Sequence, residues 1–167
     1  GCILDPSIPA LKQQKHWNAL KHSEQLEDVR DSTFAILSDV WLDKPKVFTK
    51  LATLFSVFQQ APPAAIVLIG SFISRSFQSG SGVCSDRIMY KKSFDALGDL
   101  ILKNNGLLRI NPETGEPVTR FILVPGPNDP TGNNDVLPQL PIISLFTKTL
   151  IDKVGPNHMI VGSNPCR

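Results

Sequence analysis

The sequence is short of charge. Charged residues make up 19% of its 167 positions, below the roughly 25% of an average soluble domain, and 17 basic side chains against 15 acidic ones leave a formal charge of +2. A highly charged disordered tail is excluded, because such tails combine many charges with few core-forming residues, whereas 41% of this chain is hydrophobic. Gripping nucleic acid mainly by neutralising phosphates needs a large positive field, which a charge of +2 does not supply. No apolar run approaches the ~18–20 residues that span a bilayer, so no membrane partner is expected. The three cysteines, Cys2, Cys84 and Cys166, are far apart and in no Cys-x-x-Cys spacing. That argues against a disulfide framework or a zinc ribbon and for a reducing intracellular compartment. Histidine is equally scarce, with His16, His22 and His158 the full set.

The length suits one domain of ordinary size. Gly1-Cys2-Ile3-Leu4 has neither an initiator Met nor the basic stretch of a signal peptide, and Asn164-Pro165-Cys166-Arg167 stops just after an apolar run. Both ends read as cuts inside a longer chain. Residues 1–30 form an N-terminal segment, with prolines at 6 and 9 and then one amphipathic helix from Leu11 to about Val29 on the stripe Leu11, Trp17, Leu20, Leu26. Residues 31–167 carry a different pattern. Phe34–Leu37, Ala65–Ile69, Phe121–Val124 and Met159–Val161 are short continuous apolar runs, the mark of strands covered on both faces. Between them lie helical repeats. Val47, Leu51, Leu54, Phe55 and Phe58 share one face, with Asp43 as the expected cap and Pro45 in the first turn. Tyr90, Phe94, Leu97 and Ile101 mark a second helix over Asp86–Lys103, and a third covers roughly Ile143–Val154. Ser71–Ser85, rich in Ser and Gly, reads as a surface loop.

Strand, helix, strand, helix, strand, helix, strand implies an α/β fold: a mainly parallel sheet with helices on both faces. In such sheets the functional crevice lies at the carboxyl ends of the strands, here Asp39–Asp43, Gly70–Phe72 and Gly126–Asp129. Asp39-Val40-Trp41, Gly70-Ser71 and Gly126-Pro127-Asn128-Asp129 resemble the metal loops of calcineurin-like metallophosphoesterases, which carry Asp-x-His, Gly-Asp and Gly-Asn-His there. In that family two metal ions clamp the attacking and leaving oxygens of a phosphoester displacement. Each ion needs carboxylate and imidazole donors. Trp41 stands where the resemblance requires a His, Ser71 where it requires a bridging Asp, and Asn128 and Asp129 survive around a missing His. No histidine of the chain falls at these loops. Asp39, Trp41, Gly70, Ser71, Asn128 and Asp129 are therefore expected to mark a degenerate site with no catalytic residue, no metal and no cofactor.

The departures themselves resemble a narrower group. Ser38-Asp39-Val40-Trp41-Leu42-Asp43, Ala61-Pro62-Pro63 ahead of Ile66–Phe72, Pro125-Gly126-Pro127-Asn128-Asp129-Pro130 with Leu137-Pro138, and Asn164-Pro165-Cys166-Arg167 occur in this order. The combination is similar to the B subunits of the replicative DNA polymerases alpha, delta and epsilon, with the epsilon branch nearest, from about residue 20 to the end. The resemblance implies a partial, inactive phosphoesterase-like domain over 31–167, incomplete at its C-terminus. It implies a non-catalytic accessory subunit that scaffolds the catalytic subunit of DNA polymerase epsilon in nuclear DNA replication. Its partners would be the zinc-binding C-terminal region of that catalytic subunit, the other subunits of the complex, and DNA through the complex. The alternatives are an active metal-dependent phosphoesterase or nuclease with an atypical site, and a direct DNA-binding module.

Each singled-out residue also has a plain structural reading. The Asp39 carboxylate is expected to cap nearby backbone N–H groups, and Trp41 to fill the volume that metal and ligands would occupy. Asn128 and Asp129 are expected to stiffen a proline-bounded loop. Thr131-Gly132-Asn133-Asn134-Asp135 lacks calcium-loop spacing. Gly80-Ser81-Gly82 lacks a phosphate-loop Lys, and Pro138-Gln139-Leu140-Pro141 is read as a folded loop despite its Pro-x-x-Pro pattern. Lys44, Lys46, Lys50, Lys91 and Lys92 are read as solvent-facing helix charges.

Overall fold

In the computed structural model the described residues are 32–77, 84–131 and 138–165, and the chain divides into two compact units, 1–32 and 33–167. The expected helix at Leu11–Val29 and the loops at 80–82 and 132–135 lie outside the described residues. The second unit runs β1 (Phe34–Leu37), α1 (Pro45–Phe58), β2 (Ala65–Ile69), α2 (Cys84–Lys103), a 3-10 turn (Asn105–Leu108), β3 (Arg120–Val124), α3 (Ser144–Val154) and β4 (Met159–Val161). All four strands pair in parallel in the order β1-β2-β3-β4. The α/β class and the parallel sheet are as the sequence implies.

Side chains alternate across a strand, and the register sorts them into two faces. Ile66, Leu68, Phe121 and Leu123 point to one face and are fully buried, with Met159 beside them at the β4 edge. All three helices cover this face. The ring of Phe55 on α1 meets Phe121 edge-on at 5.8 Å. On α3, Phe146, Leu150 and Val154 are buried, and Lys153 ties α3 to α2 through Asp95 at 2.7 Å and Asp99 at 2.6 Å. The expectation of helices on both faces is thus met on one face only among the described residues. The reason is topological: strands added in one direction turn every right-handed crossover to the same side. Phe34 (64% exposed), Ile36 (68%) and Ile160 (44%) stand on the opposite face.

Some local expectations are corrected. Asp43 does not cap α1: the N-cap is Lys44, without a side-chain bond, and Pro45 opens the helix at a position where a missing N–H is harmless. Gly106 does not simply end α2, because a 3-10 turn follows in which Gln59 crowds it, with Gln59 Cβ 2.8 Å and Gln59 O 3.1 Å from the place a Cβ would occupy. The expected surface loop from Ser71 begins inside the molecule instead, with Ser71, Phe72 and Ile73 buried. From the burial of the two faces, Leu123→Ala should lower the unfolding free energy by about 2–5 kcal/mol and Ile160→Ala by less than about 1 kcal/mol. Urea denaturation of both variants checks this, and equal losses would contradict the one-sided core.

Candidate functional site

The carboxyl ends of β2 and β3 meet at Gly70 and Gly126. The ladder carries past the strands, with the Gly70 N–H donating to Val124 O at 2.9 Å. The two backbones then touch so closely that a Cβ on Gly126 would fall 2.4 Å from the Gly70 carbonyl carbon and the Ser71 nitrogen. A Cβ on Gly70 would fall 1.8 Å from Asp129 Oδ2. Glycine is required at both positions by space, not by backbone angle.

Asp129 fills the gap those glycines leave. It is fully buried, and both of its oxygens accept hydrogen bonds. Oδ1 takes the Phe72 N–H at 2.8 Å and the hydroxyl of Tyr90, and Oδ2 takes the Gly126 N–H at 2.8 Å. Burial pushes the Asp129 carboxyl up from its ordinary range, while the bonds from Tyr90, Gly126 and Phe72 work the other way. Burial, followed by the nearby Asp129 charge, also pushes the Tyr90 phenol far up, so it stays a donor. Tyr90 is held by an aromatic cluster, with ring centroids 5.4 Å from Phe146, 5.5 Å from Phe77 and 6.0 Å from Phe94. Phe94 in turn meets Phe72 at 5.3 Å. One carboxylate thus joins the β2 loop, the β3 loop and α2.

Around this centre the loops are stitched by further polar contacts. Asn128 accepts from Ser76 Oγ at 2.9 Å, and its carbonyl takes the Phe77 N–H at 3.1 Å. Gln139 Nε2 donates to Gly126 O at 2.7 Å and Asn164 Nδ2 to Pro125 O at 3.1 Å. Gln139 and Asn164 also exchange backbone bonds, so Pro138–Pro141 belongs to the folded rim, as its structural reading has it. At the β1 end, Asp43 accepts from the Ser74 N–H at 2.9 Å and from Ser74 Oγ at 2.6 Å. Burial acts to raise Asp43, but the two Ser74 bonds, together with its own backbone N–H and the Lys44 charge, hold the carboxyl below its ordinary value.

The structure brings Gly70, Ser71, Asn128 and Asp129 to the β2 and β3 rim, with Ser71 buried. Asp39 and Trp41 stay at the β1 end. Asp39 is exposed and adopts a positive φ of 52°, a conformation Asp tolerates better than most residues. Its carbonyl accepts the Trp41 N–H at 2.8 Å. No side-chain bond from Asp39 to a described residue caps a backbone N–H, which corrects the capping expectation: the turn is made by the main chain. Trp41 is 39% exposed, so its indole is only partly enclosed at the β1 end. The residues the sequence reading missed are Tyr90, Ser74 and Gln139. Tyr90 had a signal, because the chain's one tyrosine lies in an apolar helical stripe and a buried phenol needs a partner. Ser74 and Gln139 had none. His158 lies at the other end of the sheet, its ring Nδ1 3.2 Å from Thr119 O. Among the described residues no group of three or more His, Cys, Asp or Glu side chains gathers as a metal centre, and no helix is long and apolar enough to cross a membrane.

A parallel α/β sheet whose strand-end loops are knotted around one carboxylate is a class of architecture, not yet a family. The family model for the B subunit of DNA polymerase alpha/epsilon matches residues 34–167, nearly all of the second unit. The chain belongs to that family. It is 33% identical over 144 residues to DNA polymerase epsilon subunit 2 of Mus musculus, covering 86% of this chain and 24% of that protein. To the DNA polymerase epsilon B subunit of Schizosaccharomyces pombe it is 36% identical over 152 residues, covering 89% and 23%. To the protein of the same name in Arabidopsis thaliana it is 35% identical over 139 residues, covering 82% and 24%. The chain spans about a quarter of the length of these relatives.

Three outcomes are expected. Asp129→Asn turns an amide N–H toward a backbone donor and should cost about 1–3 kcal/mol of stability, read by urea denaturation, with Tyr90→Phe milder. Gly70→Ala should destabilise at least as much, since the added methyl overlaps Asp129. Because the folded Asp43 carboxyl lies below its unfolded value, its contribution is complete above the ordinary carboxylate range near about 4 and fades as pH falls through the folded value. Asp43→Asn should therefore flatten the acid limb of the stability–pH curve, and an unchanged limb would rule this out.

Proposed function

We propose that the chain is part of a non-catalytic accessory subunit of a DNA polymerase epsilon complex acting in DNA replication in the nucleus. On this reading residues 31–167 are a partial phosphoesterase-like domain, following an N-terminal segment at 1–30, whose rim has become a structural joint. The observation that carries the reading is the Asp129 carboxylate. Both of its oxygens accept protein N–H and O–H donors, so it has little left to offer a cation. The two metal ions that the calcineurin-like resemblance implies do not fit the residues present. Trp41 and Ser71 offer an indole and a hydroxyl where an imidazole and a carboxylate are required, and at the β1 end Asp43, the acid that follows Asp39, is already engaged by Ser74. These side chains support no hydrolytic step.

The scaffolding role follows from what a rim without catalysis can still do, which is to hold a fixed surface against partners. Family membership and the names of the relatives support polymerase epsilon as the assembly. The expected partners are the catalytic subunit, through its zinc-binding C-terminal region, the other subunits, and DNA through the complex. The full-length protein expressed with the catalytic subunit should co-purify with it and show no manganese-dependent phosphodiester hydrolysis above a mock preparation. Hydrolysis that disappears in Asp39→Ala would overturn the non-catalytic reading, and failure to co-purify would overturn the accessory one.

A further inference from the structure

A groove of about 720 Å³ opens between the start of α1 and the first half of α2. Its walls are mostly apolar: Leu42, Pro45 and Phe48 on one side, Ile88, Met89 and Ala96 on the other. Ile88 is 47% exposed at the groove, while Tyr90, Phe94, Leu97 and Ile101 of the same helix are buried. The charges at the groove are unequal. Its acid, Asp43, is turned to the Ser74 N–H and hydroxyl and lies 3.7 Å from the Lys44 ammonium. Lys92 lines the groove, is exposed and forms no ion pair with a described residue. The first turn of α1 also faces in through Pro45, with no acidic residue and no side-chain cap to offset its positive end.

An apolar trough with one acid engaged by Ser74 and Lys44, an ammonium with no ion-pair partner among the described residues, and an uncapped helix start suits a ligand with large apolar anchors flanked by carboxylates. We propose that this groove docks an acidic, amphipathic peptide segment of a protein partner, in the helix-in-groove manner. Other occupants suit it less. A nucleic-acid strand needs a run of cations and open rings for stacking, and here one lysine lines the groove while Phe48 is half-buried. A compact small molecule needs several convergent unpaired polar groups, and the Asp43 carboxylate is already engaged. The groove also sits at the carboxyl end of the sheet, beside the stitched rim, where this architecture presents its binding crevice.

This occupancy presupposes that the chain works inside an assembly, as proposed above. The test uses the polymerase complex assembled with the full-length subunit carrying a photoreactive phenylalanine derivative at position 88. Irradiation should cross-link position 88 to a stretch of another polypeptide that combines Asp or Glu with large apolar residues. Lys92→Glu should lower the yield about tenfold by placing like charges together. Lys103→Glu, at the far end of α2, should leave the yield unchanged. Cross-links to DNA or to a second copy of the subunit, equal losses in both charge variants, or no cross-link from a complex that still contains the subunit would overturn the docking site alone. Failure of the unsubstituted subunit to co-purify would overturn the accessory reading, and the docking site with it.

Discussion

The fold turns on a buried carboxylate that has to be satisfied from three directions. Asp129 lies where the ends of β2 and β3 come within contact distance, and it is held by two backbone N–H groups and one phenol. A carboxylate without those donors would be intolerable there, since leaving buried charge unpaired costs several kcal/mol. The requirement propagates outward. Gly70 and Gly126 must lack side chains to leave it room. Tyr90 must be held at the right height, which the packing of Phe77, Phe94 and Phe146 achieves. The position of α2 and α3 over the sheet is thereby coupled to a polar group at its rim.

The coupling continues into a rim that is densely hydrogen-bonded. Gln139, Asn164, Ser74 and Ser76 all direct bonds into the loops. On the accessory-subunit reading such a rim presents a fixed shape, and the apolar groove between α1 and α2 is the concave part of it. The opposite sheet face is of another kind: Phe34, Ile36 and Ile160 are exposed there without a described helix over them.

Most of the architecture was legible in the sequence because doubly apolar runs and helical stripes are strong local signals. All four strands fall within a residue of where the runs place them, and the helices among the described residues follow the repeats. What local pattern could not carry was relative placement. Helices on both faces is the general rule for parallel sheets, but the side of each crossover depends on strand order, which no window of residues contains. At the rim, Gly70 and Asp129 were visible as an odd glycine and an odd acid, yet their meeting is a contact between loops separated by 59 positions. Asp43 illustrates the same limit. Its sequence context matched a helix cap, and a serine 31 residues away takes the carboxylate instead.

The knot at Asp129 also bears on how such a chain could change. A lineage drifting toward cation-assisted hydrolysis at this rim would first have to release that carboxylate. Doing so strands two main-chain amides and a phenol in the interior before any new reactivity appears. Freeing Asp129 would thus unsettle three elements at once, which ties the chemistry of this rim to the stability of the domain.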